Sequence, residues 1–103
     1  MVSKVSGGTF VSWLGHDGER IPFIRISVPI DNYDAEPWGG ILLIANQPDY
    51  RDVEVLEIEN LREEVNKLTA KIGKRQVYWK PERNQQNREE IKKKLGRTPL
   101  FIG

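Results

Sequence analysis

Residues 53–73 read VEVLEIENLREEVNKLTAKIG, and the point where this stretch turns helical decides the fold. Ile58, Leu61, Val65, Leu68 and Ile72 are spaced 3, 4, 3, 4, which lays them along one narrow seam of a helix. Glu63 and Lys67 add an i, i+4 pair in the favourable order. Gly73 stands where a helix ends on a left-handed residue. The start has two readings. Val53 to Ile58 can be a strand, with Asn60 capping a shorter helix and Glu63 in capping-box spacing. Alternatively Asp52 caps one long helix over 53–72. Val55 continues the stripe, so the long helix is preferred. The seam could zip to a second copy. About three heptads are short for a free-standing coiled coil, so packing against a sheet of the same chain is preferred.

Upstream, Thr9 to Gly15 reads as a strand, Asp17-Gly18 is a hairpin signal, and Arg20 to Ile30 is the return strand. A two-residue turn there sets Trp13 against Pro22 and Val11 against Ile24. It gathers Trp13, Val11, Ile24 and Ile26 on one face. Pro22 and Pro29 donate no ladder hydrogen bond, which points to an edge strand. Residues 31–40 are dense in turn formers and make a loop. Gly40 to Ala45 is an apolar run too continuous to be half exposed, hence a central strand. Residues 46–52 turn again.

Downstream, Gln76 to Lys80 is a short strand. Pro81 opens a second helix at the position where a missing N–H costs nothing, and Gly96 ends it after Leu95. Its apolar residues are Ile91 and Leu95 alone, so it is mostly solvated. Pro99 to Ile102 is an apolar tail that must dock, as an edge strand or on a partner. The expected fold is α+β in one domain of 103 residues. A small, mostly antiparallel sheet from residues 9–45, with 76–80 and 99–102 as further strands, is covered on one face by the 53–72 helix. A second, basic helix lies at the surface, and residues 1–8 fray.

Charge divides this domain. Residues 1–70 carry 6 Lys/Arg against 12 Asp/Glu, a net of −6, while residues 71–103 carry 10 against 3, a net of +7. The whole-chain value of +1 hides the split. An acidic αβ body over 9–70 therefore precedes a basic segment over 71–103. Such a division serves a polyanionic partner or lets the two halves neutralise each other. Cysteine is absent. That excludes disulfides, zinc–thiolate sites and thiol nucleophiles, and it favours an intracellular, cytoplasmic setting. No apolar run approaches the ~20 residues of a membrane span, and Met1 to Phe10 lacks the apolar centre of a signal peptide. His16 is the sole histidine, and neither a nucleophile elbow nor a phosphate-cradling glycine loop is present. The chain reads as non-enzymatic, with no cofactor, metal or catalytic residue.

The basic segment carries the preferred function, nucleic-acid binding. Lys71, Lys74, Arg75, Lys80, Arg83, Arg88, Lys92, Lys93, Lys94 and Arg97 would contact phosphates. Tyr78 and Trp79 would stack on unpaired bases. The polar run 83–88 holds Arg, Asn and Gln side chains that read base edges. The alternative is a protein-interaction module, self-associating as a homodimer or bound to another protein. It would use the seam Ile58, Leu61, Val65, Leu68 and Ile72, the loop aromatics Tyr33 and Trp38, or the apolar tail. Asp31, Asp34 and Glu36 lack the ligand pattern of an EF-hand loop. Asp49, Asp52, Glu54 and Glu57 lack a nearby lysine for a nuclease-like centre. The first group could hold Mg²⁺ or Ca²⁺ but reads by default as a solvated loop, and the second gives little support to a catalytic centre.

Overall fold

The computed structural model describes residues 10–26, 37–46, 50, 53–96 and 99–103. Its elements are β1 (Phe10–Leu14), β2 (Arg20–Ile26), β3 (Gly40–Ala45), β4 (Glu54–Ile58), α1 (Leu61–Ile72), β5 (Gln76–Pro81), α2 (Gln85–Leu95) and β6 (Leu100–Phe101). The six strands form one antiparallel sheet in the order β4-β3-β5-β2-β1-β6. The architecture is α+β, with the apolar run of β3 in the sheet interior and the tail paired to β1 as an edge strand.

The long helix over 53–72 does not form. The side-chain oxygen of Asn60 accepts the Glu63 N–H at 3.1 Å, and its amide donates to Glu63 Oε2 at 3.0 Å and to the Pro37 carbonyl at 3.1 Å. A cap tied to its own N3 glutamate holds the helix start at Leu61. Upstream of that cap the two-residue period wins. Val55 and Glu57 face one side of β4, Glu54, Leu56 and Ile58 the other, and β3 gains its second strand neighbour. At the far end Gly73, at φ 60°, donates its N–H to Thr69 O at 3.3 Å.

The β1–β2 hairpin is one residue out from a two-residue turn. Trp13 pairs with Ile21, Ser12 with Pro22 and Val11 with Phe23. The loop holds three residues: the Gly15 N–H donates to Glu19 O at 2.9 Å, and the Gly18 N–H to Gly15 O at 3.0 Å. Asp17 Oδ1 accepts the Glu19 N–H at 3.0 Å, and Gly18 takes the left-handed position at φ 85°. One residue of slip exchanges the faces. Trp13 and Val11 therefore share a face with Ile21 and Phe23, while Ile24 and Ile26 point to the other. Nor is β2 an edge strand. Pro22 is tolerated because β5 pairs with β2 only over Ile24–Ile26, beyond the proline. Pro29 lies outside the described residues.

A helix packs on each face of the sheet. On one, the α1 residues Leu61, Val65, Leu68 and Ile72 pack with Ile26, Leu42, Ile44, Ile58, Val77 and Trp79. On the other, Leu95 of α2 packs with Trp13, Ile21, Phe23, Ile41, Leu43 and Tyr78, with Ile91 against the cluster. The second helix is thus not confined to the surface. Arg88, Ile91 and Leu95, at i, i+3 and i+7, form its inner stripe, and its outer side is exposed. Pro81 does not open α2 either. It ends β5 opposite Gly40, and Asn84 caps the helix by accepting the Asn87 N–H at 3.1 Å. No helix among the described residues is long and apolar enough to cross a membrane.

Candidate interaction surfaces

The cations of the basic segment do not share one surface. Lys71 Nζ lies 3.1 Å and the Arg75 guanidinium 2.9 Å from the Glu54 carboxylate. Lys94 Nζ lies 2.8 Å from Glu19. Arg88 is 5% exposed; its Nε meets Glu57 Oε2 at 3.0 Å, and one terminal nitrogen donates to the carbonyls of Glu82 and Arg83, both at 3.0 Å. Two observables follow from these pairs. The Lys71 hydrogen bond holds the Glu54 carboxyl below its ordinary value against the opposing effect of burial, with Arg75 helping. The Glu19 hydrogen bond raises Lys94. The guanidinium of Arg83 lies 4.8 Å from the Trp38 ring centroid, a cation–π contact. Lys74, Lys80, Lys92 and Lys93 make no ion pair among the described residues. Arg97 lies outside them.

The expected base-stacking aromatics are inside. Tyr78 and Trp79 are adjacent on β5, point to opposite faces and are both buried, one in each core. The helices and side chains packed above β5 on each face leave no ring surface free, so neither can stack on a base in this fold. The seam Ile58, Leu61, Val65, Leu68 and Ile72 is likewise buried, as the core-facing stripe rather than a free dimer zipper. Trp38 is half-buried. Its carbonyl accepts the Leu61 N–H at 3.0 Å, and that of Gly39 accepts the Glu82 N–H at 3.0 Å. The Trp38 loop thereby fastens the start of α1 and the segment between β5 and α2. Tyr33, Asp31, Asp34, Glu36, Asp49 and Asp52 lie outside the described residues. Glu54 and Glu57 point to opposite faces of β4, one toward α1 and one toward α2, so they do not form a shared carboxylate centre.

One surface was not singled out from the sequence as a whole. Phe10, Ser12 and Leu14 of β1 point to the α1 face, because Trp13 and Val11 point away from it. Ile24 and Pro22 lie opposite Phe10 and Ser12, and Leu100 lies opposite Leu14. The core beneath α1 extends over β4, β3, β5 and β2 but includes no residue of β1 or β6. Phe10 is consequently 72% and Leu100 63% exposed, with Ile102 beside them just after β6, its N–H donating to Ser12 O at 2.9 Å. Only the tail's part of this patch had a signal in the sequence. Phe10 gains its exposure from how far across the sheet α1 reaches.

A cleft of about 590 Å³ at the other edge is lined by Glu57, Glu59, Asn60, Glu63 and Glu64. Among the described residues no group of three or more His, Cys, Asp or Glu is placed to hold a metal ion. Comparison with protein-family models, curated proteins and solved structures yields no match to this chain.

Proposed function

We propose that this domain is a non-catalytic protein-interaction module that holds an apolar segment of another protein on the open part of its sheet. The supporting observation is the pair Phe10 and Leu100, large apolar side chains left mostly in water on one face beside Ile102, Pro22 and the half-buried Ile24 and Leu14. Clustered exposed apolar residues mark interaction sites. The flanking charge is low: Arg20 is the one ionisable side chain of β2 on that face, and β1 has none. The partner segment is therefore apolar and uncharged. The lack of cysteine in the sequence favours an intracellular setting for this role.

The test is selection from a random peptide library against the wild type, compared with the variant Phe10→Ser/Leu100→Ser. Burying these two side chains contributes roughly 3 kcal/mol, so the variant should bind selected peptides about a hundredfold more weakly. Failure to enrich any apolar peptide, or equal binding to the variant, overturns the reading. A second reading, nucleic-acid contact, rests on Lys92 and Lys93, exposed on the outer side of α2. Fluorescence anisotropy with labelled oligonucleotides at low salt, comparing wild type with Lys92→Glu/Lys93→Glu, decides it. Binding that is salt-dependent and lost in the variant would favour this reading instead.

A further inference from the structure

The two edges of the sheet are unlike. β6 is two residues long and follows Pro99, a short and blunted end. β4 runs for five residues, Glu54–Ile58, without proline or glycine. Among the described residues no strand lies outside it. An open strand of this length is a template for another strand unless something guards it. Its own charged residues do not. Glu54 is held by Lys71 and Arg75, and Glu57 by Arg88, so both carboxylates are turned onto the faces of their own molecule and neutralised there.

We propose that the β4 edge pairs antiparallel with β4 of a second copy, joining two sheets into one of twelve strands about a two-fold axis. Centred on Leu56, the register sets Glu54 beside the second copy's Ile58 and Leu56 beside the second copy's Leu56. This spacing lets the outward-pointing backbone groups of both strands meet whichever alternate residues carry them. Leu56, half-buried at the margin of the core, is covered by its counterpart. Such a pairing is isologous, the commonest form of homo-oligomer contact.

Charge selects the second copy over a foreign strand. α1 returns alongside β4, because Lys71 and Arg75 at its end reach Glu54, while Glu63 and Glu64 at its start line the cleft with Glu57. The edge therefore has an acidic end, with Glu59, Glu63 and Glu64, and a basic end, where Lys71, Lys74 and Arg75 outnumber the one carboxylate, Glu54, that Lys71 and Arg75 hold. Glu64 and Lys71 are seven residues apart, two helical turns, and so lie on the same flank. Antiparallel pairing about Leu56 brings the acidic end of each copy to the basic end of the other, twice. A parallel arrangement would place like charges together. The two α1 flanks also enlarge the contact beyond a five-residue ladder, toward the roughly 800 Å² per partner that a stable interface needs.

The test is sedimentation equilibrium across micromolar to submillimolar protein. The wild type should associate to twice its 11.9 kDa. Glu59→Lys/Glu64→Lys and, separately, Lys71→Glu/Lys74→Glu should each weaken self-association by at least about tenfold. Mixing the two variants should restore a dimer, because in that pair both ends are again complementary. Circular dichroism identifies any variant that does not fold, in which case the wild-type mass alone decides. A wild type that stays monomeric at submillimolar concentration overturns the proposal. So does a dimer that survives both reversals yet dissociates in Phe10→Ser/Leu100→Ser, since the second copy would then sit on the opposite edge. That outcome leaves the peptide-docking reading separately testable.

Discussion

Replacing Arg88 with methionine should destabilise the fold by about 3 kcal/mol. The side chain is nearly out of solvent, pairs with Glu57 at 3.0 Å and donates to two carbonyls, Glu82 and Arg83, each at 3.0 Å. Removing one member of a buried ion pair costs about 3–5 kcal/mol, because the other charge stays behind without compensation. Here Glu57 keeps 23% of its side-chain surface, so water recovers part of its solvation and the lower figure applies. Methionine fills the space beneath α2 but leaves both carbonyls without that donor. In urea, with a slope of about 1–1.5 kcal/mol per molar for a domain of this size, the midpoint should fall by about 2–3 M at pH 7. Adding Glu57→Leu removes the stranded carboxylate, so Arg88→Met/Glu57→Leu should recover about 1 kcal/mol of the loss. The two carbonyls account for the remainder, at about 1 kcal/mol each. A single variant within 1 kcal/mol of wild type, paired with a double variant less stable than the single, would refute the anchoring role.

Two further outcomes follow from the same accounting. Glu54 is below its ordinary value of 4.5 in the folded protein, so its pairs stabilise the fold above that pH, and the contribution disappears as pH falls through the lowered value. Glu54→Gln should therefore cost about 1 kcal/mol at pH 7, after allowance for solvent screening, and progressively less as the pH falls through that lowered value; a deficit that does not shrink in acid would contradict the pairing. Asn60→Ala should cost about 1 kcal/mol or more in thermal or urea unfolding, because one amide serves the Glu63 cap and the Pro37 carbonyl together. A change of only a few tenths would mean that the β4–α1 boundary is set elsewhere.

Elements governed by local pattern were legible in the sequence. The run through Ile41 to Ala45 required burial on both sides, and the Leu61–Ile72 spacing required a helix packed on something. Gly73 and Gly96 gave the helix ends, and the tail needed a docking place. The failures have specific causes. Ile58 fits both a period of 2 from Glu54 and a period of 3.6 into α1, so apolar spacing alone did not place the boundary; Asn60 did. The hairpin register turned on whether Asp17-Gly18 is the whole loop or, with His16, two-thirds of it, a difference of one left-handed residue. Arg88 was read as a surface cation because a binary pattern counts any arginine as polar, although its position in the 88, 91, 95 stripe was visible. The ion pairs joining Glu19 to Lys94 and Glu57 to Arg88 span 75 and 31 residues and have no local signature. The open apolar patch was half legible: Leu100 and Ile102 stood out as a tail, whereas Phe10 depended on the strand order.

Segregation of charge along a chain is a different quantity from segregation in space. In this fold the basic third threads through every layer: β5 lies mid-sheet, Lys71 closes α1 on one face with Lys74 just beyond its cap, and Lys92, Lys93 and Lys94 close α2 on the other. Four of its cations already hold carboxylates of the acidic body. An anionic polymer would have to compete with those pairs, and for Arg88 it would have to do so beneath α2. The lysines of this segment that make no ion pair among the described residues are divided by the sheet itself, with Lys74 following α1, and Lys80 of β5 with Lys92 and Lys93 of α2 on the other side. A single nucleic-acid backbone following one face meets one group or the other. The formal +7 of residues 71–103 therefore overstates the field that any one partner encounters, and the same cations do more for cohesion of the two halves than for long-range attraction.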